Sequence, residues 1–272
     1  MDNITIISGK VSKKEKLKEM WDYKEVLYFL AWKDIIVRYK QTKLGIIWAI
    51  LNPVFSMIIM TFIFGNLANM PSNGVPYAIL VFSAILPWNF FSAALSGTSN
   101  SLVTNSHLLK KIYFPRLTLP ISSVITSFID LLISFGVLTI LMVAFLYVPP
   151  IKIVFLPLFI LLAFIIALGA GLILATMNVK YRDVRFVVPF ILQFGMYISP
   201  VGYTSEVIPE GLRFLYSMNP MVGVIEGFRW CIIPTTELYL PGLIVSLMVG
   251  ILVLVLGIKY FHKFENTFAD LI

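Results

Sequence analysis

Glu226 and Arg229 stand three residues apart, a spacing that lets a carboxylate and a guanidinium pair on one helix face. Asp130 is a lone carboxylate inside a long apolar run. The stretch HLLKKIYFPR at 107–116 mixes Lys110, Lys111 and Arg116 with Leu108, Leu109, Ile112, Tyr113 and Phe114. A block this basic and aromatic must face nucleic acid, lipid headgroups or another protein. Motifs for chemistry within the chain are missing. A phosphate-cradling loop needs G-x-x-x-x-G-K-[ST], and the one Gly-Lys pair, Gly9-Lys10, has no glycine five places before Gly9. No G-x-S-x-G, H-E-x-x-H or C-x-x-C occurs. Cys231 is single, and His107 and His262 lie far apart, so neither a metal cluster nor a disulfide within the chain is expected. These residues predict no enzyme, no metal and no cofactor bound by this chain.

The elements that must hold these residues are membrane spans. Hydrophobic residues make up 59% of the 272 positions and charged residues 13%, against about 25% charged in ordinary soluble domains. Mean hydropathy is +0.91. The chain lacks the polar surface to cover a soluble globule. A spanning helix needs about 20 mostly apolar residues. Six runs qualify: 44–67, 75–97, 117–148, 151–177, 186–203 and 238–260. The third is long enough to tilt or to project beyond the bilayer. The mixed acidic, basic and aromatic start of the chain is not a cleavable signal.

Orientation follows from Lys and Arg. Of 21, ten fall in the arm 1–43, three in 98–116, three in 178–185 and two from Lys259 onward. The opposite loops hold only Lys152, Arg213 and Arg229. Both termini are therefore expected in the cytoplasm. The net charge of +7 is then mostly a matter of topology, and the nucleic-acid reading loses its support.

In the arm, Trp21, Tyr28, Phe29, Trp32, Ile35, Ile36 and Tyr39 recur at helical spacing, with Glu25 intruding. Such a helix lies in the headgroup plane or packs on other protein. Segment 205–233 holds Pro209, Pro220, Gly211, Gly223 and Gly227, and its longer apolar stretch is too short to cross. It is expected as a helical hairpin capping or gating a cavity, with a plain surface loop as the alternative. Asp130 should face protein or water, since a mid-membrane aspartate costs about 2.5–3.5 kcal/mol. It serves either as an interhelical hydrogen-bond acceptor or as one step of a proton relay. Residues 107–116 and the turn at 178–183, with the arm, form a surface suited to docking a soluble protein.

Six segments, in order, resemble the membrane subunit of ABC-2-type transporters that export bacterial surface polysaccharides. They are GIIWAILNP at 45–53, LPWNFF at 86–91, LKKIYFPRLTLP at 109–120, MNVKYRD at 177–183, SPVGYT at 199–204 and NPMVGVIEGFR at 219–229. The resemblance implies an all-α homodimer of six-span subunits in the bacterial inner membrane, with a short cytoplasmic tail, 261–272. Two separate ATPase subunits would bind ATP and Mg. It implies an interface helix carrying Trp21, Tyr28, Phe29, Trp32, Ile36 and Tyr39. His107 to Phe114 with Arg116 would include the coupling helix, with Lys180, Tyr181, Arg182 and Asp183 near that contact. Asn219, Pro220, Glu226 and Arg229 would belong to paired gate helices, and the substrate would be a polyprenyl-pyrophosphate-linked polysaccharide.

Sugars stack on aromatic faces, so Phe55, Trp88, Phe90, Phe91, Tyr197 and Tyr203 are candidates for the sugar path. Lipid-facing Phe and interfacial Trp and Tyr are the competing explanation. Three other functions are compatible with parts of this pattern. An ABC-2 exporter of a small lipid or drug shares the architecture. A membrane glycosyltransferase would need placed carboxylates or a nucleotide-sugar site, and an ion-coupled carrier more intramembrane charge.

Overall fold

A computed structural model of the chain describes residues 13–40, 45–72, 74–181 and 183–268. Arg182 and the remaining parts of the arm and tail lie outside the described residues. The described chain is helical throughout: α1 (Lys13–Asp22), α2 (Lys24–Lys40), α3 (Gly45–Met60), α4 (Tyr77–Thr104), α5 (Ser106–Lys111), α6 (Thr118–Ala144), α7 (Leu156–Lys180), α8 (Val184–Ile198), α9 (Glu210–Tyr216), α10 (Pro220–Ile232) and α11 (Leu240–Phe264). Five helical stretches are long and apolar enough to cross a membrane: Ile47–Leu67, Tyr77–Thr104, Thr118–Ala144, Ile151–Lys180 and Leu240–Thr267. They match the first four and the last of the expected runs. The fifth run, 186–203, folds differently. Its helix α8 has 15 residues, roughly 22 Å at 1.5 Å per residue, short of a hydrocarbon core of about 30 Å. Residues 199–204 continue as irregular chain.

Helix α4 is the axis of the bundle. It is buried along most of its length and packs most extensively against α6 and α7, while α7 packs against α11. Lipid tails are as apolar as leucine, so burial alone does not join helices; close packing of small residues does. Gly169 and Gly257 show this. A Cβ on Gly257 would stand 2.3 Å from the Gly169 carbonyl oxygen, and one on Gly169 2.6 Å from the Leu254 backbone. Gly171 likewise admits the Thr98 side chain of α4, 2.5 Å from where its Cβ would be. The serines and threonines of α6 mostly bond carbonyls of their own helix, as Ser122 to Leu119 and Thr126 to Ser122. Polar spans thereby stay satisfied without water.

The short helix α10 is not a surface element. Met221 to Ile225, Gly227, Phe228, Arg229, Cys231 and Ile232 are buried, and α10 packs against α11, α4 and α7. Asn219 caps its start, with Oδ1 accepting from the Met221 amide at 3.1 Å, and Pro220 occupies the first turn, where no amide proton is needed. Gly223 lets its amide reach Ser246 Oγ of α11 at 3.2 Å. Arg229 is only 1% exposed. Its guanidinium donates to the carbonyls of Tyr203 at 2.7 Å, Val201 at 3.1 Å and Leu80 at 3.5 Å. Glu226 Oε1 lies 3.5 Å away, the pairing expected from their spacing. Irregular backbone at membrane depth survives only where protein satisfies it. Arg229 satisfies the 199–204 segment and ties it to α4.

Two outcomes check this architecture by thermal unfolding of the purified protein. Gly257→Leu forces α7 and α11 apart and lowers stability by at least about 1–3 kcal/mol, whereas Gly136→Ala, with nothing within 4 Å, does not. Arg229→Ala strands three carbonyls and Glu226, a loss of about 3–5 kcal/mol. Arg229→Lys recovers only part, because an ammonium lacks the planar fork of donors.

Candidate functional site

At the end of the bundle where the arm packs, a second apolar core holds the basic segments in place. Leu30 of α2, Leu102, Phe114, Leu119, Val179, Phe261 and Phe268 are its buried members, with Leu108 and Leu109 packed on it. Phe114 is therefore an anchor and not part of the exposed face, because the chain turns inward between α5 and α6. His107, Lys110, Lys111, Ile112 and Tyr113 are exposed. The Tyr113 hydroxyl donates to Glu19 of α1 at 3.0 Å. Partial desolvation of the hydroxyl against α1, then Glu19, pushes its phenol above the ordinary range. Lys33 of α2 donates to Asn105 at 3.0 Å. One guanidinium nitrogen of Arg116 is buried with no hydrogen-bond partner, beside a cleft of about 240 Å³ lined by Leu109 to Phe114 and Arg116.

The second basic turn emerges at the same end. Asn178 at the close of α7 donates to the Ser99 carbonyl and Asn100 Oδ1 of α4, at 3.0 and 3.1 Å. Lys180, Tyr181 and Asp183 follow, all exposed, with the Lys180 ammonium 5.1 Å from the Tyr181 ring centre. Cations and apolar groups thus stand on short, well-anchored segments. That arrangement can receive an acidic and apolar surface of another protein.

Helix α2 turns Leu30 and Ala31 inward and Tyr28, Phe29 and Trp32 outward, with Tyr28 and Trp32 stacked 6.3 Å apart. Trp21 sits in α1, exposed. Ile36 and Tyr39 are half-buried. The outward aromatic rings of Tyr28, Phe29 and Trp32 are exposed among the described residues. At its far end α2 grips a span: the Arg38 guanidinium and the Tyr39 hydroxyl both bond the Asp130 carboxylate of α6. Burial, then Asp130, holds the Tyr39 phenol above its ordinary range, so it remains a neutral donor. Asp130 therefore makes an interhelical contact, and its partners come from the arm, over ninety residues away in sequence. The three groups line a cavity of about 720 Å³ with Trp48, Asn52, Asn89, Ser92 and Ser134. Ser92 Oγ is buried without a partner. Sequence reasoning did not single out Arg38, Asn52, Asn89 or Ser92. The available signal was the aspartate itself, which requires donors nearby.

The candidate path residues divide. Phe55 on α3 and Tyr197 on α8 are exposed, and Tyr203 is half-buried. Trp88, Phe90 and Phe91 lie inside the subunit, at 4%, 2% and 9% exposure. Trp88 packs against Gly195 and Phe91, and Phe90 against Phe128. They cannot face a path on the subunit's surface, because α6, α7 and α8 enclose α4 around them. At the end opposite the basic segments, Asn219, Pro220, Glu226 and Arg229 come together as the structured start and core of α10. Glu226 Oε1 also accepts from Ser205 Oγ at 2.8 Å. The Tyr203 and Tyr216 hydroxyls meet at 3.0 Å, and burial, then Tyr203, pushes the Tyr216 phenol far up. Among the described residues no group of three or more His, Cys, Asp or Glu is placed to hold a metal ion.

Comparison with known proteins bears on the same elements. The chain is 26% identical over 255 residues to the O-antigen export system permease protein RfbA of Klebsiella pneumoniae, covering 91% of this chain and 95% of that one. It is 28% identical over 215 residues to the Myxococcus xanthus protein of the same name, covering 78% and 82%. The polysialic acid transport protein KpsM of Escherichia coli is 25% identical over 207 residues, covering 74% and 79%. The ABC-2 type transporter family matches residues 25–233, from the start of α2 to the end of α10. With a bundle of long apolar helices, an anchored basic face and a match over most of its length, the chain is a multi-pass membrane protein that belongs to the ABC-2 type transporter family.

Proposed function

We propose that this chain is the permease subunit of an ATP-driven exporter that moves a polyprenyl-pyrophosphate-linked polysaccharide outward across the bacterial inner membrane. The observation that carries the reading is the docking face. Lys110, Lys111, Ile112 and Tyr113 are exposed on a segment anchored by Phe114, in a chain without a phosphate-cradling loop. Energy must then arrive from a partner, and a rigid contact is what transmits it. Two ATPase subunits binding ATP and Mg would sit below two copies of this chain. The relatives, by their printed names, export O-antigen or transport polysialic acid, which favours a glycan over a small lipid or drug.

In this reading α8, extended by 199–204, completes a sixth crossing, and both termini are cytoplasmic. Helix α2 lies along the cytoplasmic interface with Trp21, Tyr28, Phe29 and Trp32 in the headgroup layer, where amphipathic rings are favoured. Its grip on Asp130 links the docking end to span α6. The α9–α10 hairpin stands at the outer side as the gate. Phe55, Tyr197 and Tyr203 would meet sugar at the face between two subunits.

Two measurements test the proposal. Lys110→Glu with Lys111→Glu weakens ATPase co-purification by about tenfold or more, the loss of one or two charge-assisted contacts, while the permease's thermal unfolding stays unchanged. Full co-purification with continued export would show that the docking role is misplaced. Depletion of the chain leads to a long lipid-linked glycan in the cytoplasmic leaflet and loss of the surface polymer, read by mass spectrometry and surface labelling. An unchanged lipid-linked pool with intact surface polymer would favour the small-lipid exporter.

A further inference from the structure

The cavity of about 720 Å³ between α2, α3, α4 and α6 is polar, although three of its walls belong to long apolar helices. Its charged lining is one guanidinium, Arg38, and one carboxylate, Asp130, and the two are bonded to each other. The formal charges cancel, so the lining favours neither an anion nor a cation. Two side-chain amides line the same space, Asn52 of α3 and Asn89 of α4. Neither has a hydrogen-bond partner among the described residues. Both can be reached. Asn52 is exposed, and the half-buried Asn89 amide, unlike Ser92 Oγ, keeps accessible surface.

Amides left open at membrane depth require water or a ligand, because hydrocarbon supplies no hydrogen bonds. Each amide donates from its nitrogen and accepts at its oxygen, and a hydroxyl is likewise both donor and acceptor. A row of hydroxyls therefore matches this pair better than an ammonium, which only donates. Trp48, exposed at the cavity, adds a ring for the apolar C–H face of a sugar. The volume falls within the range of about 300–1,000 Å³ common for small-ligand sites. The stretch 86–91 points the same way. Trp88, Phe90 and Phe91 are buried in the subunit, whereas Asn89 among them lines the cavity. A passing glycan can reach the amide of this stretch and not its rings.

We propose that this cavity is a glycan-binding subsite, in which Asn52 and Asn89 hydrogen-bond the hydroxyls of a sugar unit at membrane depth. The inference deepens the polysaccharide-exporter reading and rests on it for its physiological ligand. It assigns to the two amides the selection of a hydroxyl-bearing polymer over an apolar chain, which would leave them unpaired. The contacts are few and uncharged, which suits a polymer that must be held and then released.

The test is made in cells that carry the full chain with a hydrolysis-deficient form of its ATPase, so that export is arrested. The photo-crosslinking residue p-benzoylphenylalanine stands in place of Trp48, one exposed ring for another. Illumination is followed by mass spectrometry of the permease. A covalent adduct that contains sugar residues is expected. Asn52→Leu with Asn89→Leu, close in size to the amides, is expected to lower its yield about tenfold, the loss of one or two hydrogen bonds. Since neither amide is bonded within the described chain, thermal unfolding of the double variant is not lowered. Asn89→Leu serves alone if the double variant does not fold. An adduct with phospholipid or polyprenyl phosphate that lacks sugar, an adduct only with a second copy of the chain, or no adduct overturns the subsite. So does an equal glycan yield in the folded variants. If lipid-linked glycan still accumulates on depletion, that failure leaves the exporter reading intact. An unchanged lipid-linked pool on depletion instead removes the exporter reading, and the adduct still decides whether the cavity binds sugar.

Discussion

A buried guanidinium holds the least regular part of this membrane bundle together. The chain between α8 and α9 leaves helical geometry at Ser199, so its carbonyls lose their helical partners inside the protein. Arg229 supplies them instead, to Val201 and Tyr203, and its remaining reach extends to Leu80 on the central helix. The arrangement explains why α10 is both short and deeply inserted. A helix long enough to span would carry Arg229 away from the loop. A surface helix would leave the loop carbonyls unpaired, each at a cost of several kcal/mol in hydrocarbon. Gly223 and Gly227 are the accompanying requirement. They bring α10 against Ser246 and Phe159, where added side chains would collide at 2.5 and 2.0 Å.

The same constraint governs the arm. Asp130 is an acceptor set within a span, and the donors that satisfy it, Arg38 and Tyr39, belong to a helix that does not span. That contact makes α2 a structural part of the bundle. At its other end the arm meets the basic segments, through Glu19 to Tyr113 and Lys33 to Asn105. The arm is therefore bonded both to the face that would receive a partner and to the span that lines the 720 Å³ cavity. A displacement of the 107–116 segment has a bonded route toward that cavity. Helices packed backbone to backbone, such as α7 and α11 at Gly169 and Gly257, offer a rigid frame against which such a displacement acts.

Several features of this molecule were legible in its residues. Four of the six apolar runs, and the last, match helices because continuous hydrophobicity over about 20 residues has few other solutions. The Glu226–Arg229 pairing follows from helical spacing alone. The aromatic grouping of 88–91 misled, because hydrophobic character is the same for a residue in a subunit core and one on a path. Trp88, Phe90 and Phe91 are enclosed because α4 happens to be central, and centrality depends on what packs around it. Phe114 misled for a related reason: alternation within 107–116 does not tell which apolar side chain turns toward the core.

By itself, then, the sequence determined that this is a multi-pass helical membrane protein, which ends carry positive charge, and where polar groups would need company. Those are properties of composition and local period, and they act within a few turns of chain. Tertiary structure alone decided who provides the company. Arg38 and Tyr39 for Asp130, and the Leu80 carbonyl for Arg229, are pairings between elements far apart along the chain. They also shape the small polar cavity beside α10. Their partners depend on crossing geometry and close approach of helices, which many sequences of the same hydropathy would arrange differently.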